Sequence, residues 1–331
     1  SFLAHAYTTT TLSAQAIHQT GLAEVARIRA EMEKVKAETG FTGSLEAFFT
    51  FLRTDPRFYK KTPAELLAAY EAVSKRVDPQ MVKVFRKLPR LPYGVRPIPD
   101  HQAPDTTTAY YQPGANDGSR AGFYYVNLYR PEMRPTWEMV PLTLHEAVPG
   151  HHHQFALGLE LADAPTFRRT AYFVAYGEGW GLYAERIMDE VGFYDTPQAR
   201  WGFLQAQAFR AARLVVDTGM HAKGWTREQS MRYMMDTEGA SEADAPLRLQ
   251  RAPQAPDRHA LRPQREVLTH RRRAPDPPFG HQPLMRLLPA GKAVICGDPV
   301  QRHEADVVAV ARILAARIAK PDKEQHFDPS I

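Results

Sequence analysis

Leu142-Thr143-Leu144-His145-Glu146-Ala147-Val148-Pro149-Gly150-His151-His152-His153-Gln154 is the stretch on which the reading of the chain turns. Hydrolysis at zinc needs neutral imidazoles or carboxylates to hold the ion, an open position for water, and a carboxylate to take the water's proton. His145-Glu146 offers one ligand with a base beside it, since neighbours on a helix splay by about 100°. The common arrangement repeats the histidine one turn later, but position 149 is proline. His151 comes six residues after His145, which on a regular helix is about 9 Å along the axis and about 120° round it. A regular helix therefore does not bring both to one ion. Pro149-Gly150 offers a way out, because proline disrupts the preceding turn and glycine admits conformations closed to other residues. A bulged or broken helix is expected here, swinging His151 back toward the ion, with His152 as the alternative ligand. Taken alone, three consecutive histidines can also be a chance surface cluster.

Residues downstream argue against that reading. Gly177-Glu178-Gly179-Trp180-Gly181-Leu182-Tyr183-Ala184-Glu185-Arg186 places two glutamates seven positions apart, on one helix face and two turns from each other. Glycine and aromatic neighbours suit a packed interior, where a carboxylate requires a cation. In gluzincins the third zinc ligand is a glutamate on a helix some tens of residues after the histidine pair, and Glu178 sits at such a distance. Glu185 then orients a ligand histidine through its other ring nitrogen, or pairs with Arg186 or Arg213. Asp217-Thr218-Gly219-Met220-His221-Ala222-Lys223-Gly224-Trp225 reads as a turn between helices. There His221 either donates to the oxyanion of a tetrahedral intermediate or caps the preceding helix.

Upstream, Gly122-Phe123-Tyr124-Tyr125-Val126-Asn127-Leu128 and Thr108-Ala109-Tyr110-Tyr111 read as short strands around the turn-rich Gly114–Gly118. A small sheet or hairpin is expected ahead of the site. Its later strand can bind an extended peptide by edge pairing, with Asn127 and Tyr125 on the substrate, or can simply pack on the helices. The rest reads as helical: about 12 to 92, with a capping box at Thr62-Pro63-Ala64-Glu65, then about 135–148, 165–192, 197–218 and 226–238. After about 245 the composition turns to arginine and proline without period, so 246–331 is expected to be poorly ordered and 1–245 to be the catalytic region.

Composition bounds the rest. The chain has 331 residues, 44% hydrophobic and 24% charged, the mix of a globular protein. No stretch approaches the roughly 18 apolar residues of a membrane span, and SFLAHAYTTTT lacks the basic start and apolar block of a signal peptide. Cys296 is the single cysteine, so an internal disulfide and a cysteine zinc site are excluded. The net charge of +5 is concentrated near the end of the chain. It lacks the interleaved aromatics of a nucleic-acid surface, so no nucleic-acid partner is expected.

His145-Glu-Ala-Val-Pro-Gly-His-His-His-Gln, Glu178-Gly-Trp-Gly-Leu-Tyr-Ala-Glu-Arg and Asp217-Thr-Gly-Met-His-Ala-Lys-Gly-Trp together resemble the bacterial family catalogued as domain of unknown function 885. Tyr7-Thr-Thr-Thr and Gly21-Leu-Ala-Glu-Val-Ala-Arg-Ile resemble it as well, so the likeness runs from near residue 5 to about 245. The resemblance implies the helical zincin fold shared with thimet oligopeptidase and thermostable carboxypeptidases. Dipeptidyl peptidase III is similar in having a lengthened gap between its zinc histidines with glycine before the second, which favours His151. Members are often exported or lipid-anchored, which implies an exported or periplasmic location. The chain departs from the family at both ends, lacking a preceding helical region and carrying the arginine- and proline-rich stretch where an ordered segment with an active-site tyrosine is expected. The expectation is a mainly α, zincin-like zinc peptidase. His145, His151 and Glu178 hold Zn2+ and Glu146 is the general base, the alternative being a non-catalytic metal-binding fragment.

Overall fold

A computed structural model describes residues 2–239 except 116, 166, 168 and 170. The arginine- and proline-rich segment 246–331 and its expected disorder lie outside the described residues. Helices dominate: α1 (Phe2–Thr8), α2 (Ala14–Glu38), α3 (Leu45–Thr54), α4 (Pro63–Val77) and α5 (Met81–Val84) precede the sheet, and α6 (Met139–Glu146), α7 (His151–Leu159), α8 (Val174–Glu190), α9 (Pro197–Lys223) and α10 (Arg227–Glu238) follow it. The expected mainly α architecture with a small sheet before the histidine segment is observed.

Local chemistry sets the helix ends. Thr62, Thr196 and Thr226 each accept a backbone N–H with their side chains, and proline stands at the first helical position of α4 and α9. At α10 the capping box is complete, since Gln229 also accepts from the Thr226 N–H at 2.8 Å. Helix α9 runs on to Lys223 and closes at Gly224, φ 72°, so Asp217–Lys223 is helical and not the turn its sequence suggests. Helix α8 begins at Val174, later than the expected 165.

The three strands are β1 (Tyr93–Pro97), β2 (Ala109–Gln112) and β3 (Gly122–Val126), in the order β1-β3-β2. β3 pairs parallel with β1 and antiparallel with β2. It is therefore the central strand, both of its edges are occupied, and peptide binding by edge pairing along Phe123–Leu128 is ruled out. β1 was hidden by its glycine, arginine and proline.

Helix α9 packs along α2 and against α6 and α10, and α6 lies between α9 and α8. The main core gathers Ile28, Met32, Leu144, Met188 and Trp201 from these helices and Phe48 from α3, all nearly inaccessible. Burial of this many large apolar side chains, each worth about 1.5–3 kcal/mol, fixes α6 and α8 side by side.

Candidate metal centre

Helix α6 carries Pro141 within its first turn, where a missing N–H costs nothing, and is buried at every position but Leu142. It ends at Glu146. The chain then turns through Ala147 (φ −99°, ψ −109°), Val148 and a cis Pro149 to Gly150, and α7 opens at His151. The helix is thus broken between the histidines. A side chain at Gly150 would strike the backbone carbonyl of His145, so only glycine lets the chain turn back this tightly. The break brings the His145 and His151 rings to 4.7 Å, edge to face.

Glu178, Gly181, Leu182 and Glu185 share the buried face of α8, as spacings of three, four and seven require. A Cβ at Gly181 would meet Cε1 of His145 at 2.5 Å. Its absence is what lets the imidazole lie flat on α8 between the two glutamates. His145 Nε2 stands 3.3 Å from Glu178 Oε2, and Nδ1 stands 2.8 Å from Glu185 Oε1. His151 Nε2 faces the same Glu178 oxygen at 3.6 Å, too long for a hydrogen bond. Its Nδ1 is buried with no hydrogen-bond partner among the described residues.

His145, His151 and Glu178 are the buried group among the described residues whose donor atoms, within 4.8 Å of one another, can hold a metal ion. The fit is chemical as well as spatial. Bonds of about 2.0–2.1 Å to a tetrahedral ion separate neighbouring donors by about 3.3–3.4 Å, against 3.3 and 3.6 Å here. Two imidazoles and one carboxylate suit zinc among the common ions and leave a fourth position open. Glu185 holds the far nitrogen of His145 in the manner typical of metal-bound histidines.

Electrostatics point the same way. Burial alone favours a neutral His145 ring, yet hydrogen bonding to Glu178 and Glu185 outweighs it and raises the pKa to about 10. Burial likewise opposes ionisation of Glu178, but the charge on His151 and the hydrogen bond from His145 hold its carboxyl well below the usual range. A positive charge between imidazoles and carboxylate is thereby favoured. Arg210 balances the other glutamate, with Nη2 2.7 Å from Glu185 Oε1 and Nη1 donating to Oε2 at 3.1 Å.

Glu146 ends α6 directly after His145 and is 9% exposed. Among the described residues no hydrogen bond or ion pair engages its carboxylate. His152 lies outside the cluster. Its Nδ1 meets the Tyr111 hydroxyl at 2.9 Å, its ring packs at 4.9 Å from Tyr93, and burial lowers its pKa to about 4. The alternative assignment of His152 as ligand therefore gives way to His151. Glu185 pairs with Arg210, not with Arg186, which bonds Glu190.

The structure places three further candidates. Asn127 is fully buried, and its amide donates to the carbonyls of Ala103, Thr106 and Thr107 at 2.7 to 3.1 Å, so it ties down a loop and is not available to substrate. Tyr125 stacks on Tyr110 of β2 at 5.0 Å and 17°, a cross-strand packing pair. His221 sits exposed in the last turn of α9, with Nε2 3.6 Å from Asp217 Oδ1, where a basic ring complements the helix dipole. It neither caps through its side chain nor joins the cluster.

Three residues of the site escaped the sequence reading. Gly181 was legible in principle, lying three residues after one glutamate and four before the other. Arg210 had a weaker signal, a cation inside the apolar run Phe209–Val216. Tyr172, whose hydroxyl donates to Glu178 Oε1 at 2.6 Å, had none.

A family model described as "Bacterial protein of unknown function (DUF885)" matches residues 1–256. Among solved structures, the chain is similar to "the putative lipoprotein from Colwellia psychrerythraea", with 39% identity and a TM-score of 0.71 over 75% of this chain and 44% of that one. It shares the fold of "a putative lipoprotein of unknown function from Shewanella oneidensis", at 19% identity and a TM-score of 0.59 over 76% of this chain and 48% of that one. The chain thus spans less than half the length of either solved relative. No curated protein matches it.

Proposed function

The chain belongs to the bacterial DUF885 family, and on that footing we propose that it is a zinc-dependent peptidase of zincin-like, gluzincin type. The observation that carries the reading is the convergence of His145, His151 and Glu178 on one point, and Glu146, next in sequence to His145 and nearly buried, is the carboxylate best suited to serve as base. Zinc bound there supplies Lewis-acid polarisation of a carbonyl and acidification of water. Glu146 takes the proton of the attacking water and returns it to the leaving amine nitrogen. Glu185 and Arg210 keep the His145 ring oriented while charge changes around it. The solved relatives' descriptions as lipoproteins support an exported location for this chain, and no described helix is long and apolar enough to cross a membrane.

The test is Glu146→Gln, assayed on a broad pool of peptides. Hydrolysis should vanish while zinc stays bound, and retained turnover sinks the mechanism. A second reading, a metal-binding chain without catalysis, is favoured by one observation, that Asn127 and His221, expected to contact substrate or its intermediate, stand apart from the cluster. Bound zinc without turnover in the unmodified chain supports it.

A further inference from the structure

The two oxygens of Glu178 have different surroundings. Oε2 faces the Nε2 atoms of His145 and His151 at 3.3 and 3.6 Å, whereas Oε1 accepts the Tyr172 hydroxyl at 2.6 Å. A phenol–carboxylate bond of that length is of the charge-assisted kind, roughly twice as strong as a neutral one. Tyr172 stands just ahead of α8, and its ring is seated by the fold. It lies over Gly177, where any Cβ would collide with it, and tilts against Phe155 of α7 at a centroid distance of 5.9 Å. The hydroxyl is therefore aimed at the carboxylate by packing from α7 and α8, two of the three helices that carry ligands.

We propose that Tyr172 is a positioning residue that makes Glu178 a one-oxygen metal ligand. The inference rests on the metal-site reading above. With Oε1 spent on the phenol, only Oε2 is offered to the ion, and the coordination position that a second carboxylate oxygen would fill stays open for water or a substrate carbonyl. Without the hydroxyl, Oε1 is free to rotate toward the ion and close that position. Tyr172 thus acts on the metal through Glu178 and touches no reacting atom.

Cobalt(II) and zinc titrations of the full chain test this, read by affinity and by the visible absorption of cobalt, which weakens as its coordination number rises. Tyr172→Phe should bind both ions about tenfold or more weakly, the usual cost of losing an outer partner, and its cobalt bands should lose intensity. Asn127→Ala, which loosens the fold away from the cluster, should keep the native bands, so a loss of intensity in both variants would mark a purely structural effect. A Tyr172→Phe chain with native affinity and native cobalt spectrum overturns the inference while leaving the metal site standing. If the unmodified chain takes up neither ion, the metal-site reading fails, and this inference with it.

Discussion

Trp180 donates its indole N–H to the carbonyl of Pro149 at 2.8 Å, tying the helix that carries Glu178 to the link that positions His151. The two metal-facing groups are thereby fixed to each other by a bond neither of them makes. Trp180→Phe removes that bond and keeps most of the ring's packing beside His153 and Phe85. The expected result is a loss of about 1 kcal/mol in unfolding free energy, with a weaker zinc affinity measured by competition against a chelator. Unchanged zinc affinity would mean that the link is held by its own turn alone.

Gly181→Ala separates helix stability from site geometry. Alanine favours the helix by up to about 1 kcal/mol, yet its methyl would meet the His145 ring at 2.5 Å. Denaturant unfolding of the metal-free variant should show little loss, whereas zinc binding should drop sharply. Native zinc binding would show that the ring has room to shift.

The raised pKa of His145 gives the metal-free chain a signed pH dependence. A histidine whose folded pKa lies near 10, above its unfolded value, contributes stability that is complete below about 6.5 and lost as pH climbs through 10. Glu178, held low, contributes in the other direction, and its share is lost only in acid. Metal-free thermal unfolding should therefore fall between neutral pH and pH 10. Zinc uptake should strengthen by about tenfold per pH unit over the same range while it displaces that proton. A zinc affinity flat with pH between 7 and 9 contradicts the assigned protonation.

Asn127→Ala examines the structural role given to a residue the sequence offered as a substrate contact. Its amide satisfies three loop carbonyls from full burial, so the substitution should cost about 1–3 kcal/mol of stability and leave zinc content unchanged. Loss of peptide turnover without loss of stability would restore the substrate role.

Much of the site was legible because its chemistry is local. The six-residue gap from His145 to His151 defeats a regular helix, and Pro149-Gly150 announces the break; the structure puts α6 and α7 on either side of it. Glu178 and Glu185 were legible through their shared helix face. The misreadings arose where tertiary pairing decides. β1 carries no strand periodicity and forms because β3 offers it an edge, which left β3 central and Asn127 enclosed. Tyr172 and Arg210 reach the glutamates only through the packing of α7, α8 and α9, a relation that no single segment encodes.

The central claim is that His145, His151 and Glu178 hold one metal ion. Elemental analysis of the purified full chain beside His151→Ala and His152→Ala tests it most directly. The account predicts stoichiometric zinc in the unmodified chain and in His152→Ala and its loss in His151→Ala. Zinc lost only from His152→Ala, or no transition metal in the unmodified chain after incubation with zinc, would contradict it.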